Sequence, residues 1–194
     1  MESTSNDALS GSRKELRQRL IEERGRFVAG PDHAAAEAAL ARHLSAVLQR
    51  LEPACLGLYW PMRGEFKAPA AIAADAALAG VPLALPYTRR TPREMVFRRW
   101  DGKPPALLDE SKIPSSDGES VVPDVIVAPC VGFEPDGSYR LGYGGGYFDR
   151  YMAAHPHVTA VGVAWSIGRL APGRYVPEPH DKPMALIVCE NGVI

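Results

Sequence analysis

The N-terminal part of the chain shows the pattern of two amphipathic helices. Residues 13–29 place leucine and phenylalanine side chains on one helical face, and arginine and glutamate fill the opposite face. The Gly30-Pro31 step interrupts this pattern. Residues 34–51 then repeat apolar positions at helical spacing, and Pro53 follows them. The pattern predicts two consecutive helices that each bury one face.

Short apolar runs and helical segments alternate over the rest of the chain. The runs predict strands at residues 55–60, 82–87, 94–100, 124–133, 158–165 and 184–190. Helices are predicted over 67–79 and 147–155, and residues 101–123 have no sustained period, which predicts a long loop. The alternation predicts an α/β fold with an open, mostly parallel sheet flanked by helices, in a single domain over residues 13–194.

Composition and charge narrow the class of protein. With 22 Lys and Arg against 23 Asp and Glu, the net charge is −1, which disfavours nonspecific nucleic-acid binding. The longest apolar runs are too short for a membrane span. The first twelve residues lack the pattern of a signal peptide, so we expect a disordered tail over 1–12 and a cytoplasmic protein. The three cysteines are far apart and lie in apolar runs, which favours buried thiols over a zinc site.

The segment RLGYGGGYFDR, residues 140–150, carries most of the candidate chemistry. It follows a predicted strand and a turn, contains four glycines, and leads into a predicted helix. Glycines allow a close approach of backbone to ligand, and amides at a helix start favour an anion. Arg140 and Arg150 add positive charge, and Asp149 offers a hard oxygen for Mg²⁺. From these residues alone, a phosphate-binding loop and a glycine-rich structural turn both stay open.

The same segment resembles the signature loop of the 5-formyltetrahydrofolate cyclo-ligase family. DVIVAPCVGFEPDGSYRLG is similar to the strand and turn that precede this loop in the family. Further similar segments, in family order, are RKELRQRL, LYWPMRGEF, PLALPYTRRTPREMVFRRW, AVGVAW and VPEPHDKPM. The resemblance therefore extends from about residue 13 to residue 190.

The resemblance implies a fold and a reaction. The fold would be a three-layer, Rossmann-like α/β arrangement of the NagB/RpiA/CoA-transferase-like type. The reaction would be the ATP- and Mg²⁺-dependent cyclisation of 5-formyltetrahydrofolate to 5,10-methenyltetrahydrofolate. In it, phosphoryl transfer from ATP activates the formyl oxygen, and ADP and phosphate are released. The resemblance also implies a monomer with a small-molecule folate substrate and with neither nucleic acid nor membrane as a partner.

Roles for individual residues follow from the resemblance position by position. The expected ATP contacts are Arg13, Lys14, Arg17, Arg140, Gly142, Tyr143, Gly144, Gly145, Gly146, Tyr147 and Phe148. The expected folate contacts are Trp60, Glu65, Tyr143 and Tyr147. Asp149 and Asp181 would bind Mg²⁺, and Arg140 and Tyr147 would be catalytic. Taken without the resemblance, Glu65 also fits an exposed turn carboxylate and Asp181 a turn or cap residue.

Three positions depart from the family pattern and keep other functions open. Ser166 and Gly168 stand where the family usually has an acidic residue and a glutamine, and Ala185 replaces an aspartate. The alternatives are a family member that acts on another folate or pterin-like substrate, and a non-catalytic nucleotide- or folate-binding module.

A basic hairpin is predicted over residues 89–99. Its members are Arg89, Arg90, Arg93, Arg98 and Arg99. They form either a solvated face or a surface that attracts an acidic ligand such as ATP or a polyglutamylated folate tail.

Overall fold

The computed structural model describes residues 4–134, 136 and 139–194, with side chains from residue 13 onward. The helices are α1 (Thr4–Val28), α2 (His33–Leu51), α3 (Ala68–Ala73) and α4 (Tyr147–Ala154), with 3-10 helices at Ala76–Leu78 and Ser166–Gly168. The predicted helix over 67–79 is therefore divided. Asp75 separates its two parts, because its side chain accepts a hydrogen bond from the backbone N–H of Ala77 and caps the 3-10 turn.

Twelve strands are assigned in the described part of the chain. They are β1 (Leu56–Gly57), β2 (Leu83–Arg90), β3 (Arg93–Trp100), β4 (Leu107–Leu108), β5 (Pro114–Ser115), β6 (Ser120–Val121), β7 (Val125–Pro129), β8 (Gly132–Phe133), β9 (Arg140–Leu141), β10 (Thr159–Val163), β11 (Leu186–Cys189) and β12 (Gly192–Val193). Three of them, β4, β5 and β6, lie in the segment 101–123 that was predicted to be a loop. Each is two residues long, so none leaves a periodic pattern in the sequence.

Eight strands form one sheet in the order β12-β11-β10-β7-β1-β2-β3-β6. The five strands from β11 to β2 run parallel to one another. The pairs β2–β3, β3–β6 and β11–β12 are antiparallel and form the two margins of the sheet. The predicted open, mostly parallel sheet is confirmed.

Helices cover both faces of this sheet. In β7, Val125 and Val127 pack into the cluster that contains the leucines of α2, whereas Ile126 packs with Tyr151 of α4. Successive side chains of a strand point to opposite faces of the sheet, which explains this alternation. Because both faces of β7 are buried, its sequence is a continuous apolar run. The α/β fold has the three layers that the family resemblance implied.

Helix α1 packs against residues that follow the central strand β7 and against β9. Its Leu16 and Leu20 pack in a cluster with Val131, which comes shortly after β7, and with Leu141 of β9. The helix begins at Thr4, so the prediction of a disordered tail over 1–12 differs from the structure over residues 4–12 and lies outside the described residues over 1–3. The physical reason is that an established helix extends at little cost once its first turn has formed.

Two of the predicted strands are shortened or divided in the structure. The predicted strand 55–60 is regular only over Leu56–Gly57, and the predicted strand 124–133 is divided into β7 and β8. No helix in the described part of the chain is long and apolar enough to cross a membrane.

Candidate functional site

A cleft of about 960 Å³ opens at the carboxyl ends of the central strands. In open α/β sheets this edge is where ligands bind. The wall is formed by the middle of α1 (residues 13–21), the turn after β1 (residues 59–65), the glycine loop (residues 142–146) and residues 175–181. The wall includes every predicted site residue: Arg13, Lys14, Arg17, Trp60, Glu65, Arg140, Gly142, Tyr143, Gly144, Gly145, Gly146, Tyr147, Phe148, Asp149 and Asp181. The structure thus brings these residues together from four separate parts of the chain.

The glycine loop requires glycine at two of its positions. Gly144 has φ +87° and Gly146, which caps α4, has φ +65°, a region that other residues rarely adopt. Arg17 fixes the loop, because its Nε donates a 2.6 Å hydrogen bond to the carbonyl oxygen of Gly142. A Cβ atom on Gly144 would lie 3.3 Å from Cζ of Arg17. The loop and the arginine of α1 therefore form one unit beside the start of α4.

Arg140 is a buried cation at the base of this loop, with 7% of its surface exposed. One terminal nitrogen donates to Oδ2 of Asp149 at 3.1 Å, and the other donates to the carbonyl oxygen of Pro129 at 3.4 Å. Its Nε–H is buried and has no hydrogen-bond partner among the described residues. A buried, unpaired donor is costly, and its presence is typical of a functional site. Arg140 therefore brings a buried positive charge to the wall of the cleft.

Glu65 is a buried carboxylate in the cleft wall, with 9% of its surface exposed. Its Oε2 accepts from the backbone N–H of Met62 at 2.7 Å, and its Oε1 accepts from the hydroxyl of Tyr143 at 2.6 Å. Burial raises the pKa of Glu65 above its ordinary value, although these hydrogen bonds and the nearby Arg24 and Arg63 oppose that rise. Glu65 is therefore not the exposed turn carboxylate that remained open from the sequence. Each of its oxygens keeps a lone pair for a ligand.

Asp181 is engaged by residues from two elements. Its Oδ2 accepts from Arg13 at 2.7 Å, from the Tyr175 hydroxyl at 2.8 Å and from the backbone N–H of Glu178 at 2.7 Å. Partial burial alone would raise the pKa of Asp181, but these hydrogen bonds outweigh it and lower the pKa. This ion pair ties the middle of α1 to the segment before β11.

The carboxylates of the cleft fit a Mg²⁺ ion held mainly by phosphate oxygens. Mg²⁺ commonly takes one or two carboxylates together with substrate phosphates and water. Each oxygen of Asp149 accepts one hydrogen bond, from Arg140 and from the backbone N–H of Lys182, so lone pairs remain for a metal. Asp181 has only Oδ1 left for such a role. Within the described ranges, no three His, Cys, Asp or Glu side chains converge as a metal site, so a cage built from protein alone is not found there.

Two parts of the site were not identified from the sequence. The hairpin formed by β4 and β5 lines the cleft with Asp109, Ser111 and Ile113. Arg24, on α1, lies behind the cleft and donates to the Tyr143 hydroxyl. A signal for Arg24 was present, since it follows Arg13 and Arg17 at spacings that repeat one helical face.

The basic hairpin β2–β3 contributes one arginine to the cleft wall, Arg90. Arg89 pairs with Glu94 at 2.7 Å, Arg99 lies 4.0 Å from Glu119, and the Arg98 guanidinium stacks over the Tyr87 ring at 3.8 Å. These contacts favour the interpretation of the hairpin as a mostly solvated face, with Arg90 as the exception.

The three departures from the family pattern do not belong to the cleft wall. Ser166 donates through its backbone N–H to Glu190, and Ala185 donates to the carbonyl oxygen of Ala160. Gly168 packs so closely that a Cβ atom would lie 2.9 Å from the carbonyl oxygen of Val131. None of the three is among the residues that line the cleft.

Two solved structures resemble this one over most of its length. The 5,10-methenyltetrahydrofolate synthetase of Aquifex aeolicus is 26% identical and superposes with a TM-score of 0.70, covering 93% of this chain and 91% of that chain. The 5,10-methenyltetrahydrofolate synthetase of Mycoplasma pneumoniae is 19% identical, again with a TM-score of 0.70, covering 92% of this chain and 98% of that chain. At that lower identity the second likeness shows the fold.

Sequence comparison points to the same group of proteins as the structural comparison. A Mycoplasma pneumoniae protein named 5-formyltetrahydrofolate cyclo-ligase is 38% identical over 66 residues, which span 34% of this chain and 38% of that protein's length. The model of the 5-formyltetrahydrofolate cyclo-ligase family matches residues 9–190. That match covers nearly the whole chain, and the chain therefore belongs to the 5-formyltetrahydrofolate cyclo-ligase family.

Proposed function

We propose that this protein catalyses the ATP- and Mg²⁺-dependent cyclisation of 5-formyltetrahydrofolate to 5,10-methenyltetrahydrofolate. The observation that carries the proposal is the composition of one cleft. It combines arginines and a glycine loop, suited to phosphates, with a buried glutamate, suited to the hydrogen-bond donors of a pterin. A monomer in the cytoplasm, with neither a nucleic-acid nor a membrane partner, completes the proposal.

The positive groups of the cleft bind and neutralise the polyphosphate. Lys14, Arg17 and the buried Arg140 offer donors along the cleft wall, and the amides at the start of α4 add their partial positive charge. Asp149 and Asp181 would hold Mg²⁺, whose chemistry there would be to neutralise the charge that develops on the transferred group. Phosphoryl transfer depends on positioning and charge neutralisation, and both are available here without a protein nucleophile.

The acidic part of the cleft binds the folate. Glu65 would accept hydrogen bonds from the amino and ring N–H groups of the pterin, while Trp60 and the tyrosines Tyr143 and Tyr147 line its flat faces. The formyl oxygen attacks the γ-phosphorus of ATP, and the bond to ADP breaks. The N10 nitrogen then attacks the formyl carbon and gives up its proton, and the oxygen leaves with the phosphate as the ring closes.

The test is the near-ultraviolet absorbance of the methenyl product. Purified protein with 5-formyltetrahydrofolate, Mg²⁺ and ATP should generate that absorbance, and a mixture without ATP should not. A folded protein that gives no product at high enzyme concentration would overturn the proposal. A panel of other formylated folates and pterins tests the alternative substrate, which would be favoured by faster turnover of another compound. Since Ser166, Gly168 and Ala185 lie outside the cleft wall, we expect 5-formyltetrahydrofolate to be the best substrate.

A further inference from the structure

Arg24 joins three parts of the site without lining the cleft. It lies on α1 with 4% of its surface exposed. Its Nε donates a 3.0 Å hydrogen bond to the carbonyl oxygen of Arg63, and a terminal nitrogen donates to the Tyr143 hydroxyl at 2.5 Å. The first contact reaches the turn after β1, and the second reaches the side chain of Tyr143, in the glycine loop whose backbone Arg17 holds. Only the forked guanidinium of arginine can make both contacts at once in this geometry.

The hydrogen bond from Arg24 also fixes the direction of the next one. A guanidinium donates and never accepts, so the oxygen of Tyr143 must act as acceptor toward Arg24. The single proton of Tyr143 is then directed to Oε1 of Glu65, 2.6 Å away. With Oε2 held by the backbone of Met62, the carboxylate of Glu65 has one defined orientation in the cleft wall.

The turn that carries Glu65 is fixed from other directions as well. Trp165 donates through its indole nitrogen to the carbonyl oxygen of Gly64 at 2.8 Å, and the Tyr59 hydroxyl donates to Phe66 at 2.7 Å. Loss of the Arg24 contacts therefore leaves the turn in place. What changes is the link between Tyr143 and Glu65.

We propose that Arg24 is a positioning residue for folate binding, acting through the Tyr143 hydroxyl to hold Glu65 as a correctly oriented acceptor. This inference rests on the proposed function. Arg24 would then be a residue outside the cleft wall that contributes to the affinity for the pterin. Its replacement would leave the affinity for ATP unchanged.

The charge of Arg24 affects the pKa of Glu65, so the pH profile of folate turnover provides a second readout. Burial raises the pKa of Glu65, and the positive charges of Arg24 and Arg63 oppose that rise. The titratable groups that face Glu65 are Arg24 from α1, Arg63 and Tyr59 from the turn, Tyr143 from the glycine loop, and Cys130 after β7. Without Arg24 the pKa of Glu65 rises further. The acidic limb of the pH profile of kcat/KM for folate should then move to higher pH.

The first experiment compares Arg24→Gln with Arg26→Gln, an exposed arginine on the same helix. For Arg24→Gln we expect the KM for 5-formyltetrahydrofolate to rise about tenfold or more, as for loss of a charge-assisted hydrogen bond. The KM for ATP should stay within about twofold of wild type, as should both constants of Arg26→Gln. Equal losses for folate and ATP would show a merely structural role and overturn the inference.

A double-mutant cycle tests the path through Tyr143. If Arg24 acts through the hydroxyl, Tyr143→Phe should give a similar rise in KM, and adding Arg24→Gln to it should change KM by no more than about twofold. Additive effects would overturn the proposed path. Should Arg24→Gln fail to fold, Arg24→Lys keeps the charge but loses the second donor direction, and the same cycle applies.

Calorimetric binding of 5-formyltetrahydrofolate separates the two proposals. A wild-type protein that binds the folate without converting it overturns the proposed function alone, and the ratio of affinities between Arg24→Gln and wild type still tests Arg24. A wild-type protein that is active, with Arg24→Gln equal to it in KM and in affinity, overturns the inference alone.

Discussion

The buried guanidinium of Arg140 is neutralised by Asp149, whose Oδ2 lies 3.1 Å from a terminal nitrogen of the arginine. Asp149 therefore has a structural task in addition to the proposed metal contact. Asp149→Asn leaves the arginine charge buried without its counter-charge, so the free energy of unfolding should fall by about 2–4 kcal/mol. Chemical denaturation measures this, and turnover should be lost without recovery at high Mg²⁺.

The control for this prediction is the exposed Asp32, whose side chain caps no helix N–H. Asp32→Asn should change the free energy of unfolding by less than about 0.5 kcal/mol. If Asp149→Asn is equally harmless, Asp149 does not neutralise Arg140.

The conformation of Gly144 predicts a separation between stability and ATP affinity. Gly144 (φ +87°) and Gly80 (φ +85°) have nearly the same left-handed backbone conformation, which is strained for any residue with a Cβ atom. Alanine at either position should therefore destabilise the fold by about 1–2 kcal/mol. A Cβ atom meets Arg17 at Gly144, whereas nothing lies within 4 Å of one at Gly80. Calorimetry should therefore show about tenfold weaker ATP binding for Gly144→Ala and no change for Gly80→Ala. Equal ATP affinity in both variants would speak against a role of the loop in binding phosphate.

The Arg13–Asp181 ion pair predicts a pH dependence of stability. Because the pKa of Asp181 in the folded protein lies below the ordinary value of 3.8, its stabilisation is present above that value and is lost as the pH falls through the folded-state pKa. The difference in free energy of unfolding between wild type and Asp181→Asn should be constant near neutral pH and shrink in acid. The exposed Asp117 provides the matched control variant, Asp117→Asn, for the loss of one carboxylate. A difference that is independent of pH would contradict the assignment.

The β4–β5 hairpin predicts a link between a buried aspartate and the cleft. Asp109, 3% exposed, accepts hydrogen bonds from the backbone N–H groups of Thr88, Ser111 and Ile113. Asp109→Ala leaves these donors unpaired, so the free energy of unfolding should fall by about 2–3 kcal/mol and the KM for substrate should rise. The control variant is Asp101→Ala, at an exposed aspartate in the same segment between β3 and β6. Wild-type kinetics in Asp109→Ala would show that the hairpin does not shape the cleft.

The central architecture and the glycine loop could be predicted because their signals are local. β7 is a continuous apolar run, and residues 142–146 form a dense glycine cluster directly before a helix. Trp60 and Glu65 were expected only through the family resemblance, yet they line the same cleft. Their roles stay predictions.

The rest depends on distant contacts, which a local pattern does not encode. Arg24 and Tyr143 are 119 positions apart, and Arg13 and Asp181 are 168 positions apart. The two-residue strands β4 and β5 are shorter than any period that could reveal them. The predicted helix over 67–79 is divided at Asp75, whose side chain caps the following 3-10 turn. The alanines around Asp75 have a high helix propensity, so a prediction based on propensity misses this interruption.

The most direct test of the proposed activity follows methenyl absorbance and ADP release in one reaction. With 5-formyltetrahydrofolate, Mg²⁺ and ATP, the account predicts that both appear together in equal amounts and that neither appears when the folate or ATP is omitted. ADP release that is independent of the folate, or a folded protein that forms no methenyl product, would contradict it.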